Sequence, residues 1–324
     1  TTSASFSADF AIGAVDGANI TTTDKDNGKE ALTAVYGFQI DLTTSFTGED
    51  SLDISIDAGN AGAAGVAEFD LNSTGDALQI DGIAYSFPIG DDISAIVGAQ
   101  GTDGSAMFTT ACTYGGPSNT LDDCGNVQSA FVGNGTMFGA SYAFNDEFTV
   151  AVGYAGDGKT ASTGLMTSQG LDAVGINAAY TTDTYGLSVT YASVETANAK
   201  GTAAGVYSDS SFAFNGYFSP EGFPSISAGY EFTDIGGVGE NVDEKTSFFV
   251  GLQFDEVGPG SAGIAVGTQG SITEGNDEAL MYEAYYSYPV NDGMTITPLV
   301  YAKEATSSTD EDETGIMVKT SFSF

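Results

Sequence analysis

The end of the chain alternates strictly between two kinds of side chain. One set is apolar apart from a single threonine and finishes on an aromatic residue: Ile316, Val318, Thr320, Phe322 and Phe324. Segments of roughly ten residues with the same period of two recur through the sequence, about the length that a tilted strand needs to cross a bilayer. Successive side chains of a strand point to opposite faces, so the pattern predicts strands with one apolar face.

Alternation and turn residues together predict about sixteen strands. They are expected near residues 3–13, 30–46, 50–60, 77–88, 92–100, 136–144, 147–155, 171–181, 184–193, 207–218, 222–232, 245–255, 261–268, 278–289, 292–303 and 314–324. No run approaches eighteen consecutive apolar residues, so any membrane crossing has to be made by strands.

Short and long connections alternate along the chain. The short ones are rich in Gly, Pro, Asn and Asp, the residues that hairpin turns need. The long ones span residues 14–29, 61–76, 101–135, 156–170, 194–206, 233–244, 269–277 and 304–313. All long connections then fall on one side of the sheet. This layout predicts an all-β fold: one domain over residues 1–324, an antiparallel transmembrane barrel with short periplasmic turns, long external loops and both termini inside.

Aromatic residues cluster at the strand ends beside the short turns, as in the girdles of a membrane barrel. They are Phe46, Phe87, Phe144, Phe148, Tyr180, Tyr185, Phe218, Phe223, Phe254, Tyr288 and Phe324. The two faces also differ, because Leu52, Ile54 and Ile56 alternate with Asp53 and Ser55. One face is predicted to meet lipid and the other a wet lumen.

Charge excludes several functional classes. The chain has 44 Asp and Glu against 7 Lys and Arg and no His, a net charge of −37. Nucleic acid is excluded as a partner, because it is bound by basic side chains. Without His there is no Ser-His-Asp triad or imidazole zinc site. A carboxylate pair of the glycosidase kind stays chemically possible but is uninformative among so many acids, and we predict no enzymatic activity.

The longest connection, residues 101–135, is the candidate constriction of the lumen. By analogy with general porins, whose third loop folds into the barrel, we predict an inward loop with Asp103, Asp122 and Asp123 at the constriction. Cys112 and Cys124 are the two cysteines, and a disulfide between them fits an oxidising compartment. The alternative is an ordinary surface loop held by the disulfide.

Strand alternation assigns further charged residues to the lumen wall: Asp9, Asp41, Asp53, Asp57, Glu231, Glu283, Lys303 and Lys319. Their balance is negative, and carboxylates lining a pore favour cations. We therefore predict a modest cation preference, with inorganic ions and small hydrophilic solutes as the permeating partners.

Two acidic segments lie in predicted long loops. Residues 24–30 are similar to a calcium-binding loop, but Gly28 is at the fifth position instead of the sixth, so a turn is predicted. Residues 310–313 are predicted to be a solvated external loop. We predict no cofactor. Loosely bound Ca²⁺ or Mg²⁺ at the acidic loops is a hypothesis, and at residues 310–313 such an ion would bridge to another subunit or to lipopolysaccharide.

Three sequence segments resemble cyanobacterial outer-membrane porins of the carbohydrate-selective porin group. They are residues 44–52, continued by Ala58-Gly59-Asn60, then residues 83–90, then residues 111–114. The resemblance implies a homotrimer in the outer membrane of a Gram-negative-type bacterium, a cyanobacterium. It also implies an N-terminal S-layer-homology domain and coiled coil that bind the cell wall. This sequence contains neither and begins at Thr1 without a signal peptide, so a processed or truncated chain is expected.

One departure from the family concerns the charged residues after Leu52. A basic pair often follows this position in the family, whereas this chain has Asp53 and Ser55.

Taken together, the strand pattern, the charge and the resemblance predict a passive, cation-preferring outer-membrane porin. The alternatives are a secreted, acidic, β-rich structural or adhesive surface protein and, third, a substrate-specific sugar or iron channel.

Overall fold

In a computed structural model of the chain, the described residues form sixteen long strands and one strand of two residues, β14. The structure describes residues 2–17, 31–62, 64–100, 103–131, 135–156, 158, 164–167, 170–198, 205–236, 244–306 and 311–324. The strands are β1 (Thr2–Asp16), β2 (Thr33–Thr44), β3 (Ser51–Gly59), β4 (Gln79–Ile89), β5 (Ile93–Gln100), β6 (Thr136–Ala143), β7 (Phe148–Gly156), β8 (Asp172–Thr181), β9 (Tyr185–Asn198), β10 (Gly205–Phe218), β11 (Ser225–Asp234), β12 (Glu244–Val257), β13 (Gly260–Thr268), β14 (Ile272–Thr273), β15 (Leu280–Asn291), β16 (Met294–Lys303) and β17 (Glu313–Ser323).

The sheet is closed and antiparallel. Each long strand pairs with its neighbours along the chain, and β1 pairs with both β2 and β17, which joins the first strand to the last. The C-terminal residue completes the closure, because Phe324 and Phe6 exchange two backbone hydrogen bonds of 3.0 Å. A closed sheet leaves no unpaired edge, which is what a strand-built structure needs in lipid.

The polarity of the barrel is the reverse of a soluble protein. In β11 the side chains of Ile226, Tyr230 and Phe232 are exposed, whereas Glu231 and Thr233 are each 1% exposed. Apolar side chains on the outer surface and buried polar side chains on the inner one are characteristic of a barrel that faces lipid. The alternation predicted from the sequence is therefore confirmed.

Exposed aromatic rings lie at the end of the barrel that carries the short turns. The most exposed are Phe324 at 76%, Phe223 at 75% and Phe46 at 69%. Phe144, Phe218, Tyr185 and Tyr288 are also exposed at this end. Rings of this kind fit a boundary between hydrocarbon and water.

All sixteen predicted strands are present, and several differ from the prediction in length. β9 runs to Asn198 and β10 begins at Gly205, each further than the predicted 184–193 and 207–218. The extension of β9 carries polar residues such as Glu195 and Thr196, so hydropathy does not mark it although backbone pairing with β10 continues. Neither β14 nor the 3-10 helix at Ala64–Phe69 is predicted from the sequence.

Among the described residues, none of the helices has the length and apolar character to cross a membrane.

Candidate functional site

The described part of the third loop, residues 103–131, lies inside the barrel. Its backbone donates hydrogen bonds to hydroxyl groups on the inner wall, from Ala111 N to Ser188 Oγ and from Thr113 N to Ser227 Oγ, each at 2.9 Å. These partners are on β9 and β11, far around the barrel from β5 and β6, where the loop begins and ends. The predicted inward fold of the third loop is confirmed.

Two buried glutamates of the wall hold the third loop. Glu231 accepts the backbone N–H groups of Gln128 and Ser129, each at 2.8 Å, one on each carboxylate oxygen. Glu283 accepts the hydroxyl of Tyr114 at 2.6 Å. Burial and the Glu283 charge raise the pKa of Tyr114, so its hydroxyl remains a donor. Strand alternation assigns both glutamates to the lumen wall; they lie on its inner face but beneath the loop.

Glycines on the inner wall mark the path of the third loop. A Cβ at Gly153 would overlap the carbonyl oxygen of Gly104, and a Cβ at Gly229 would overlap that of Cys124. The loop backbone lies directly on the sheet at these positions, where glycine alone leaves room. Inward-facing glycines of the strands are therefore a signal in the sequence from which the path of the loop could have been inferred.

The predicted disulfide is confirmed. Cys112 and Cys124 are bonded across a separation of 12 residues. The carbonyl oxygen of Cys124 accepts the side-chain amide of Asn215 on β10 at 2.9 Å. The disulfide therefore joins two parts of the loop that are each attached to the wall.

The second loop, residues 60–78, also folds into the barrel. Glu68 in its 3-10 helix forms an ion pair with Lys303 on β16. The backbone oxygen of Glu68 accepts Asn119 N at 2.9 Å, and its Oε2 accepts Thr120 N at 3.3 Å. One residue therefore connects the second loop, the third loop and the wall.

Apolar packing holds the second loop as well. Val66 and Phe69 belong to one buried cluster with Leu299 and Met317 of the wall. A Cβ at Gly59 would overlap the carbonyl oxygen of Asn72, so the loop backbone also lies against β3. The sequence does not predict this second inward loop, because residues 60–78 have no periodic pattern to indicate where they pack.

The three predicted constriction acids have different surroundings. Asp122 is exposed and Asp123 half-buried. Although Asp122 reaches solvent, desolvation inside the barrel, then repulsion from Asp123 and Asp70, raises its pKa to about 6. Desolvation likewise raises the pKa of Asp123 to about 6, against the lowering effect of a hydrogen bond from Gly125 N. Asp103 differs, because its carboxylate accepts the backbone N–H and hydroxyl of Ser105 within a turn.

The remaining predicted wall residues lie on the inner faces of β1, β2, β3, β16 and β17. Asp41 accepts hydrogen bonds from Gln39 and Ser55. Asp53 accepts them from Thr43 and Ser51.

The other wall charges differ in how far they are paired or buried. Asp57 is buried and Asp9 half-buried. Lys303 is paired with Glu68, whereas the Lys319 ammonium lies 5.4 Å from the centroid of the Phe69 ring.

Among the described residues, no group of three or more His, Cys, Asp and Glu side chains is arranged to hold a metal ion. The calcium-like segment 24–30 and Asp310 of the acidic run lie outside the described residues.

Comparisons with known proteins are informative at the level of structure. No family model matches the chain, and no curated protein sequence matches it. The barrel is similar to OprB of Pseudomonas putida (TM-score 0.66, 13% identity, 100% of this chain and 94% of that one). It is also similar to the anion-selective porin of Comamonas acidovorans (TM-score 0.67, 13% identity, 100% and 99%). A mutant of the Rh. blastica porin superposes with TM-score 0.61 at 14% identity over 100% of both chains.

The fold is that of an outer-membrane porin. At these identities the similarity establishes the architecture, including the closed barrel of sixteen long strands. Solute preference has to be argued from this chain's own residues.

Proposed function

We propose that the protein is a passive diffusion channel of the outer membrane. The observation that carries the proposal is the combination of a closed barrel, an apolar exposed exterior and a loop folded across the interior. A barrel of sixteen strands is wide enough to enclose water, and an inward loop narrows it. The inner wall away from the third loop also carries small polar residues with access to the lumen, including Ser86, Ser94 and Ser141.

We further propose that the channel prefers cations. The net charge of −37 favours cations around the whole molecule. In the described lumen, Asp122 is exposed, Asp9, Asp41 and Asp53 are half-buried, and the amine of Lys303 is already neutralised by Glu68. The inner surface therefore presents more unpaired negative than positive charge, which attracts cations directly.

Three sequence segments support more specific proposals about the source, the porin group and the assembly of the protein. Residues 44–52, 83–90 and 111–114 favour a cyanobacterial source and the carbohydrate-selective porin group. With that assignment come a homotrimer, contact with outer-membrane lipid and lipopolysaccharide, and attachment to the cell wall through a domain outside this sequence. Loose binding of Ca²⁺ or Mg²⁺ at the acidic external loops belongs to the same set of proposals.

The two alternatives differ in what they require. A secreted structural or adhesive protein would need a polar exterior, and the exposed Ile, Val and Phe side chains of the strands do not favour it. A substrate-specific channel for sugar or iron would share the barrel and add a saturable site in the lumen. The first alternative is tested by solubility, the second by solute block.

The deciding experiment is ion conduction through the purified protein in a planar bilayer. We expect discrete conductance steps and, across a salt gradient, a reversal potential whose sign shows that cations pass more readily. The protein should also require detergent and change its gel mobility on boiling. A water-soluble protein without conductance steps would contradict the channel, whereas a chloride preference would contradict only the cation selectivity.

A further inference from the structure

A polar pocket lies between the second loop and the inner wall. Its volume is about 180 Å³, and β1, β2, β17 and the second loop all contribute to its lining. A space of this size admits several water molecules or a solute with few heavy atoms. The side chains that define its chemistry are Asp9, Gln39, Phe69, Asp70, Asn72 and Lys319.

Lys319 is the cationic group of this pocket. Phe69 packs against its ammonium group at 5.4 Å, and the ring is itself 4% exposed within the buried cluster. Across the described residues, the ion pairs of the other two lysines, Lys245 and Lys303, are made with Asp209 and Glu68, while no carboxylate oxygen lies within 4.0 Å of Lys319. The amine is held in place by an aromatic ring and has its charge available.

Carboxylates line the same pocket without neutralising that amine. Asp9 is on β1, where the next residue of the same face, Ala11, pairs directly with Lys319 on β17. Asp70 follows the 3-10 helix with a φ of 43°, a left-handed conformation that is uncommon for a residue other than glycine. Opposite charges thus share one small cavity but are farther apart than an ion pair, which leaves room between them.

We propose that this pocket is a binding subsite for small zwitterionic solutes, the class to which free α-amino acids belong. The carboxylate of the solute would bind Lys319, its ammonium group Asp9 or Asp70, and the amides of Gln39 and Asn72 would complete the hydrogen bonding. The inference deepens the proposed channel function and rests on it.

The charges of the pocket favour a zwitterion over other classes. A simple anion bound at Lys319 would face two carboxylates, and a simple cation would face the ammonium group. A neutral polyol could use the amides but would leave the separated charges without partners. Only a solute that carries both charges at short separation satisfies both groups.

The test is solute block of single-channel current at pH 7, with L-serine as the zwitterion and glycerol as a neutral solute of similar size. We expect L-serine to reduce the current with saturation, whereas glycerol should act only through viscosity. Lys319→Met removes the charge and should weaken L-serine binding by about tenfold, and Lys319→Arg should retain it. The double variant Asp9→Asn/Asp70→Asn should weaken it to a similar degree, while Lys245→Met, at a distant ion pair, should have no effect.

The outcomes separate the subsite from the channel. Equal effects of L-serine and glycerol, or unchanged L-serine block in Lys319→Met, would overturn the subsite while the ion current itself still supported the channel. Calorimetric titration of L-serine into the detergent-solubilised full chain gives a second measurement that needs no current. Saturable heat in the unsubstituted protein that is lost in Lys319→Met would support the subsite, and its absence would refute it even if the protein conducted no ions.

Discussion

Lys303 and Glu68 form an ion pair inside the barrel that joins the wall to the second loop, and through Glu68 to the third. Their side chains are 17% and 7% exposed, so water screens the pair weakly. Glu68 also accepts Thr120 N and offers its backbone oxygen to Asn119. This ion pair therefore contributes to the position of both inward loops, beside the contacts that Glu231 and Glu283 make with the third loop.

Lys303→Met should destabilise the barrel, because it leaves a buried carboxylate without its cation. We expect a loss of about 3 kcal/mol in the free energy of unfolding, measured with denaturant in lipid, together with noisier open-channel current. The matched control is Lys245→Met, whose pair with Asp209 is 3.9 Å long and more exposed, and which should lose less than about 1 kcal/mol. Equal effects of the two substitutions would contradict this role for Lys303. The double variant Glu68→Gln/Lys303→Met should recover part of the loss.

Ion selectivity should depend on pH through Asp122 and Asp123. Because the pKa of each is raised to about 6, acidification from pH 7.5 to 5 should protonate them and lower the cation preference, with a midpoint near pH 6. An ordinary aspartate would give a midpoint at about pH 4. In Asp122→Asn/Asp123→Asn, the reversal potential should be flat over this range. Asp53→Asn is the control, expected to lower cation preference without moving the midpoint, and a double variant that kept the midpoint near 6 would refute the assignment.

The same two groups should affect stability in a defined direction. Their folded pKa values lie above the unfolded value of about 3.9, so the folded state binds protons more tightly between the two. The stability that they contribute is present below about pH 4 and is lost as pH rises through about 6. Relative to Asp122→Asn/Asp123→Asn, the unsubstituted barrel should lose stability between pH 5 and 7.5. A difference that did not change over this interval would contradict the prediction.

Removing the disulfide should weaken the third loop without releasing it. For Cys112→Ser/Cys124→Ser we expect a loss of about 2 to 3 kcal/mol in the free energy of unfolding, from the greater freedom of the unfolded chain. The contacts of Glu231 and Glu283 with the loop remain, so single-channel conductance should be unchanged. A large rise in conductance would show that the disulfide, and not these contacts, holds the loop against the wall.

Gly229→Ala tests the contact between the third loop and the wall. A Cβ at this position would overlap the carbonyl oxygen of Cys124, so the loop has to move away from β11. We expect a loss of about 1 to 3 kcal/mol and an altered conductance. Gly115→Ala is the control within the same loop, because the nearest atom to its Cβ would be the Tyr285 hydroxyl oxygen at 3.8 Å. Identical behaviour of the two variants would show that the loop does not lie on Gly229.

Asp50 should stabilise the turn between β2 and β3. Its Oδ1 accepts the backbone N–H groups of Phe46 and Thr47, and its Oδ2 accepts the hydroxyl of Tyr85 at 2.7 Å. The hydrogen bond from Thr47 N is the main cause of its lowered pKa, so this stabilisation is present above about pH 4 and declines at lower pH. We expect Asp50→Ala to lower the unfolding temperature at pH 7 more than Glu49→Ala, at the exposed neighbour. An equal decrease of the unfolding temperature in the two variants would contradict the proposed role of Asp50 in stabilising the turn.

Strand positions and faces were predictable because period-two alternation is a local property. A strand that faces lipid needs an apolar side chain at every second residue of its outer face. In β11 this face carries Ile226, Tyr230 and Phe232, so the pattern can be recognised without knowledge of the rest of the chain. The turn within residues 44–52 is also a local structure, because it is stabilised by the hydrogen bonds that Asp50 accepts inside it. The extension of β9 to Asn198 was missed because it continues by backbone pairing after the apolar pattern ends.

The sequence by itself determined a closed, lipid-facing barrel, its polar interior and the cysteine pair, since each follows from neighbours along the chain. Only the tertiary structure decided which inward charges remain accessible. Glu231 and Glu283 are covered by the third loop, Lys303 is neutralised by Glu68, and Lys319 stays free of any described ion pair. Alternation states which face a side chain occupies, but whether a loop lies over that face depends on contacts between residues more than a hundred positions apart, such as Gln128 with Glu231 or Glu68 with Lys303.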